Sequence, residues 1–246
     1  MRVAAAGLLA GTLFLFNPST ILIFLPMLAW IAFEHRSALR QTARYSVAVL
    51  TVLLLVGFAW AFRNHLQLGK FVVRTNLGMT LYSSNNDCAY PSLISEELNN
   101  CYQTHHPNTS LQEAELLMSL GEPAYDQKRI RDAETWIRTH PKHFLRVTLA
   151  RVRDFWFPTP NEHPFHSVVI WIATLLSLPG LMLMAFRRVR VTSFFLLVFL
   201  VYPLMYYIVV SDVRYRLPIL WLSLLAAGYF LTHASKRIFH RIADLP

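Results

Sequence analysis

VVIWIATLLSLPGLMLMAF, residues Val168–Phe186, carries no charge over a length that suits one crossing of a lipid bilayer. A hydrocarbon core takes about 20 mostly apolar residues at 1.5 Å rise each. Ser46–Phe62, Val191–Val210 and Leu217–Thr232 are uncharged in the same way. Across the 246 residues, 54% are hydrophobic and only 15% charged, a balance that points to a membrane chain rather than a soluble domain.

A fifth apolar segment, Val3–Phe33, is too long for one simple span and is interrupted by Asn17-Pro18 and by Pro26. Proline removes a backbone donor and biases the residue before it away from helix. The segment therefore reads either as one tilted, kinked helix or as two short helices folding back at Asn17-Pro18. A cleaved signal peptide is a third reading, but the apolar stretch exceeds the usual core of such a peptide and no small-x-small site leads into polar sequence. The expected fold is mainly α: a polytopic membrane protein of about five transmembrane helices with a mostly helical extracytoplasmic insert. Its parts are residues 1–62 (N-terminal membrane helices), 63–164 (the outward domain) and 165–246 (three C-terminal crossings and a short tail).

The formal charge of +9 invites a nucleic-acid reading until its distribution is checked. Arg63–Pro164 holds 11 Lys/Arg and 11 Asp/Glu, so the excess lies in and beside the apolar segments, where 12 basic residues face only Glu34, Asp212 and Asp244. No nucleic-acid partner is expected. Three basic clusters, Arg36/Arg40/Arg44, Arg187/Arg188/Arg190 and Lys236/Arg237/Arg241, fall on one side of the membrane when the spans are counted. Short loops rich in Lys and Arg stay in the cytoplasm, which puts 63–164 and the turn Ser211–Arg214 outside.

Cys88 and Cys101 are the only cysteines and both lie in the outward insert. A disulfide across this loop of about 14 residues would stabilise by roughly 3 kcal/mol in the chain-entropy model, and an oxidising compartment permits it. Two unpaired thiols are the alternative, and the bridge is favoured because nothing around them has zinc-ligand spacing. Within the insert, Arg63–Asn108 reads as loops with short strands around Phe71–Arg74 and Thr80–Ser83. Thr109–Phe157 reads as helix: Ser110-Leu-Gln-Glu113 has the capping-box pattern, Pro123 suits a first turn, and Pro141 ends one helix and starts another. That last helix sets Phe144, Leu145, Thr148, Leu149, Val152, Phe155 and Trp156 at helical spacing, with Lys142, Arg146, Arg151 and Arg153 elsewhere on the surface. The stripe either packs on a domain core or lies on the outer leaflet.

Two places could carry chemistry. Arg63, with Lys70 and Arg74 soon after it, could hold a lipid phosphate through charge-assisted hydrogen bonds, or could anchor the interface beside Trp60. Ser211-Asp-Val-Arg-Tyr-Arg-Leu-Pro218 puts Arg214 and Arg216 on the outward side, where positive charge needs a local reason. Either an anionic headgroup or pairing with Asp212 supplies one. His105, His106, His140, His143, His163 and His166 lack metal-ligand spacing, so no metal is expected on them. There is no phosphate-binding glycine loop and no nucleophile elbow.

Taken together, AWAFRNHLQLGKFVVRTNLGMTLYSSNN (Ala59–Asn86), SLGEPAYDQKRIRDAETWIRTHPKHFLRVTLARVRDFW (Ser119–Trp156) and SDVRYRLPI (Ser211–Ile219) resemble the bacterial GT-C membrane glycosyltransferases, the group of the family-39, protein mannosyltransferase-like enzymes and the aminoarabinose transferases. The resemblance covers the C-terminal part of that pattern. It implies transfer of a sugar from a polyprenyl-phosphate donor to an acceptor on the outer face of the bacterial cytoplasmic membrane, with Arg63, Lys70, Arg214 and Arg216 as candidates for the donor phosphate. Full-length members carry further N-terminal spans and an acidic first outward loop that serves as base or metal site. This chain shows no acidic pair before Glu34, so the expectation is a truncated enzyme, a split enzyme that needs a separate N-terminal half, or a degenerate relative with another role, inactive alone. No cofactor is identified on this chain; a divalent metal would belong to that half. A non-catalytic membrane protein with a partner-binding outward domain is the alternative.

Overall fold

The computed structural model describes residues 2–160 and 164–243, so His163 and Asp244 lie outside the described residues, as do the side chains of Lys236, Arg237 and Arg241. The chain is mainly α-helical, and among the described residues the only β pairing is an isolated parallel bridge between Ser92 and Ser211.

α1 (Arg2–Phe16) and α2 (Ile21–Glu34) are separated by a 3-10 turn at Pro18–Thr20. Asn17 is extended there, its side chain caps the turn by accepting from the Ser19 N–H, and Pro18 takes the first position, where its missing donor costs nothing. The chain folds back at this point. α1 runs parallel to α3 (Leu39–Leu68), since a Cβ at Gly7 or Gly11 would meet Val52 or Val56 in the same order. α2 returns, its far end bonding Trp30 Nε1 to the Arg190 carbonyl at 3.2 Å, with Glu34 3.9 Å from Arg190. Of the two readings left open by Asn17-Pro18, the fold-back is the one adopted.

The insert is built of short helices: α4 (Leu77–Ser84), α5 (Leu93–Leu98), α6 (Cys101–His105), α7 (Leu111–Leu120), α8 (Glu122–Thr139) and α9 (Pro141–Trp156). The strands expected around Phe71–Arg74 and Thr80–Ser83 do not form. Phe71–Arg74 is irregular, and Thr80–Ser83 is inside α4. Packing overrides local preference there: α4 lies so close to α8 that a Cβ on Gly78 would stand 1.9 Å from the Asp126 carbonyl oxygen. Ser110 caps α7 by accepting from the Glu113 N–H, but the Glu113 carboxylate turns inward, to Arg129 and to the Tyr125 hydroxyl at 2.7 Å. Cys88 and Cys101 are joined, with Cα atoms 5.6 Å apart.

After the insert come α10 (Pro164–Phe186), α11 (Thr192–Val201), α12 (Leu204–Ile208) and α13 (Leu217–Ala243). The apolar run Val191–Val210 is therefore not one helix. It breaks at Tyr202-Pro203, where proline cannot donate to the preceding turn. Among the described residues, three helices are long and apolar enough to cross a membrane, Arg36–Leu68, Pro164–Phe186 and Val213–Ser235, and Val3–Phe16, Pro18–Glu34 and Thr192–Ile208 are shorter apolar stretches. α10 and α13 touch backbone to backbone, because Gly180 has no side chain to hold off the Ala226 carbonyl. The opposite side of α10 leaves Phe165, Val168, Ile172, Leu175, Met182 and Phe186 exposed, a continuous apolar row.

The two basic turns, Arg36–Arg44 and Arg187–Arg190, lie at one end of the bundle, as the contacts of Trp30 and Glu34 require. The other end gathers the α1–α2 turn, the segment after α3 and the Ser211–Arg216 turn. Arg74 donates to the carbonyls of Leu15 and Phe16, Ser19 accepts from the Tyr206 hydroxyl at 2.7 Å, and the Ser211 N–H donates to the Pro91 carbonyl at 2.9 Å.

Candidate functional site

The Ser211–Arg216 turn is where the insert meets the apolar helices, and two buried arginines flank it. Asp212 caps the 3-10 turn Val213–Arg216 by accepting from the Arg214 N–H at 2.7 Å. One turn of such tight helix sends consecutive charged side chains apart. Arg214 points out and pairs with Asp212 at 2.8 Å, so the local-pairing reading of this arginine holds. Arg216 points in and is 1% exposed.

Arg216 has an unusual shell. Its guanidinium lies 4.4 Å from the Trp156 ring, 5.5 Å from Phe199 and 5.6 Å from Phe155. Nη2 donates to Ser223 Oγ at 2.6 Å, while Nε and Nη1 have no hydrogen-bond partner. No carboxylate is paired with it among the described ion pairs. Ring faces attract a cation but do not accept its in-plane N–H groups, so two strong donors remain for an anion. Tyrosines line the same space: Tyr206 stacks on Tyr215 at 4.5 Å, Tyr202 donates to Tyr206 at 3.3 Å, and Trp156 Nε1 donates to the Tyr207 hydroxyl at 2.8 Å.

The second arginine, Arg151 of α9, is wholly buried. Nη1 donates to the Ile208 carbonyl at 2.8 Å and to Asn85 Oδ1 at 3.1 Å, and Nη2 donates to the Ser84 carbonyl. Asn85 Nδ2 itself donates to the Ile208 carbonyl at 3.0 Å, and Ser84 Oγ accepts from the Val210 N–H at 2.9 Å. Arg151 thus ties the end of α4 and the end of α12 to α9. Burial lowers its pKa to about 10, against the attraction of Glu96, so it remains charged at neutral pH. Glu96 is 1% exposed with Oε1 unpartnered. Burial pushes its carboxyl up to about 8, with Arg151 and the Tyr90 N–H pulling the other way. It is a neutral acid at pH 7.

The four expected phosphate ligands do not form one buried group. Arg63 is exposed, 5.3 Å over Trp60 and bonded to Asn64 Oδ1 at 2.9 Å. Lys70 is exposed on the segment that follows α3. Of the four, Arg216 alone is enclosed. The sequence reading missed Glu96 and Asn85 as site residues and placed Arg151 on the surface, whereas the fold buries it completely. A signal for Arg151 existed: it sits four residues from both Val147 and Phe155, on the row that α9 buries. Among the described residues no cluster of three or more His, Cys, Asp or Glu could hold a metal ion.

No family model matches the chain, and no curated protein or solved structure matches it either.

Proposed function

We propose that the chain is the membrane-embedded C-terminal part of a glycosyltransferase that takes its sugar from a polyprenyl-phosphate donor, with Arg216 as the residue that binds the donor phosphate. The observation that carries this is Arg216 itself: a buried cation beneath aromatic rings, with two N–H donors unused. Leaving such donors unsatisfied costs on the order of 1–3 kcal/mol each, a cost that a bound anion relieves. In glycosyl transfer, negative charge develops on the departing phosphate, so a cation fixed there stabilises the transition state more than the ground state.

In this reading the fold-back at Asn17-Pro18 raises the crossings from about five to six: α1, α2, α3, α10, the broken pair α11–α12, and α13. α1 has 15 residues, about 22 Å of helix, and its crossing implies local thinning of the bilayer. The basic turns face the cytoplasm and the Arg216 turn faces outward. Entry of the phosphate needs the Trp156 ring to move off the guanidinium. In this reading the acceptor is deprotonated by a carboxylate.

The test is binding of undecaprenyl phosphate to the purified full chain in nanodiscs. Arg216→Ala removes a charge-assisted contact and is expected to weaken binding about 10- to 100-fold. Arg216→Lys retains part of the affinity, and Arg214→Ala changes it little, since its charge is already paired with Asp212. Equal affinity of wild type and Arg216→Ala would refute the assignment and leave the partner-binding membrane protein as the better reading.

A further inference from the structure

α9 has two faces that serve different neighbours. Val147, Arg151, Asp154 and Phe155 are buried, and the three anchors of Arg151 fix the rotation of the helix. On another face Leu145 is 58% exposed and Leu149 60% exposed. Val152 continues that row at helical spacing, and the exposed Lys142 and Arg146 run alongside it, while Arg153 is paired with Asp154 at 2.8 Å. An apolar row flanked by basic residues is the pattern of a helix in a lipid interface.

The depth of α9 follows from the chain that joins it to α10. Ser167 Oγ donates to the Thr159 carbonyl, Trp171 Nε1 to the Pro158 carbonyl at 3.0 Å, and Thr174 Oγ1 to the Trp156 carbonyl at 3.3 Å. These bonds form a ladder in which an earlier residue of the connection meets a later residue of α10. The C-terminal end of α9 is therefore level with Thr174, ten residues past the first residue of α10, or about 15 Å along its axis. α10 is one of the helices long and apolar enough to cross a membrane. An exposed leucine row on a helix whose end lies that far along a membrane helix is placed to face lipid rather than water.

We propose that α9 is embedded obliquely in the outer leaflet, with Leu145 and Leu149 among the acyl chains and Lys142 and Arg146 at the phosphates of anionic phospholipids. The occupant of the exposed face is bulk lipid. Continuity with α10 and the charge of the flanking residues both select it over a protein partner. The inference does not depend on donor binding, because it concerns where α9 lies and is read with no donor present.

The experiment uses the full chain, reconstituted alone in nanodiscs, with a single bimane label at Leu145→Cys or Leu149→Cys. The native cysteines are bridged and do not react. Glu115→Cys, at an exposed charged position of α7, serves as the water-facing reference. Nitroxide-labelled lipid is expected to quench both α9 labels at least roughly twofold more than the reference, and aqueous iodide to quench them less. Replacing phosphatidylcholine by phosphatidylglycerol should increase the lipid quenching, and Lys142→Glu with Arg146→Glu should abolish that increase. Quenching by iodide and not by lipid overturns the proposal. Protection from both quenchers also overturns it, because it means that a second copy covers the face. Circular dichroism and the proportion of protein inserted check that each variant is folded.

Discussion

Replacing Glu96 by Gln should make the protein more stable, and increasingly so as the pH rises. Glu96 is 1% exposed, one of its oxygens has no partner, and its carboxyl is pushed from an ordinary glutamate value up to about 8. The groups that face it are Arg151 from α9, Tyr215 from the 3-10 turn and the Tyr90 N–H. Because the folded state holds the proton more tightly than the unfolded state, stability is greatest below the unfolded value near 4.5 and falls as the pH climbs toward 8. One proton gives a slope of about 1.4 kcal/mol per pH unit, so the full window is worth on the order of 4–5 kcal/mol, an upper figure because local relaxation lowers it. Gln has the size of the neutral acid and no titration. The difference between variant and wild type should be about 0.5–1 kcal/mol at pH 5 and several times that at pH 8. Thermal unfolding in nanodiscs at pH 5, 6.5 and 8, followed by tryptophan fluorescence, measures it, and groups common to both proteins cancel in the difference. Parallel curves for the two proteins across that range would refute the burial of a neutral Glu96.

Arg151→Met should cost about 3–5 kcal/mol, since the carbonyls of Ser84 and Ile208 and the Asn85 amide lose a buried charged donor; limited proteolysis within the insert should accelerate in step. Gly78→Ala forces a methyl onto the Asp126 carbonyl, 1.9 Å from the ideal Cβ position, and should lower the yield of folded protein while Gly69→Ala, in open space but at φ 70°, costs only about 1 kcal/mol. Cys88 and Cys101 should resist alkylation until a reductant is added, and removing both should cost roughly 3 kcal/mol by denaturant titration. Cysteines introduced near Arg40 and Arg188 should react only with permeant reagents in intact cells, and one at Asn100, in a double variant lacking the native pair, with impermeant ones as well.

The long uncharged runs and the capping residues were readable because each depends on neighbours within a few positions. Ser110 needs only Glu113 three residues on, and Pro141 acts on its own ring geometry. The buried cluster was not readable for the opposite reason. The acceptors of Arg151 lie 57 to 67 residues away, and the one local signal, its spacing from Val147 and Phe155, marks the row it sits on but not the acceptors that let a charge be buried there. The same distance effect explains α4: Thr80–Ser83 looks extended until α8 covers it. Arg216 was a candidate from its place in the chain, but only the fold turns it inward and Arg214 outward, two residues apart.

The bond between Tyr206 and Ser19 spans 187 positions of the chain, and that separation has a meaning during synthesis. At about 5–20 residues per second, the ribosome delivers Tyr206 roughly 10–40 s after Ser19 has been made. Through that interval the hairpin of α1 and α2 has α3 as a neighbour but lacks the tyrosine that holds its turn. A factor that guards immature membrane segments would have its longest opportunity at the Asn17-Pro18 turn, and the hairpin would be released from that factor when α12 arrives.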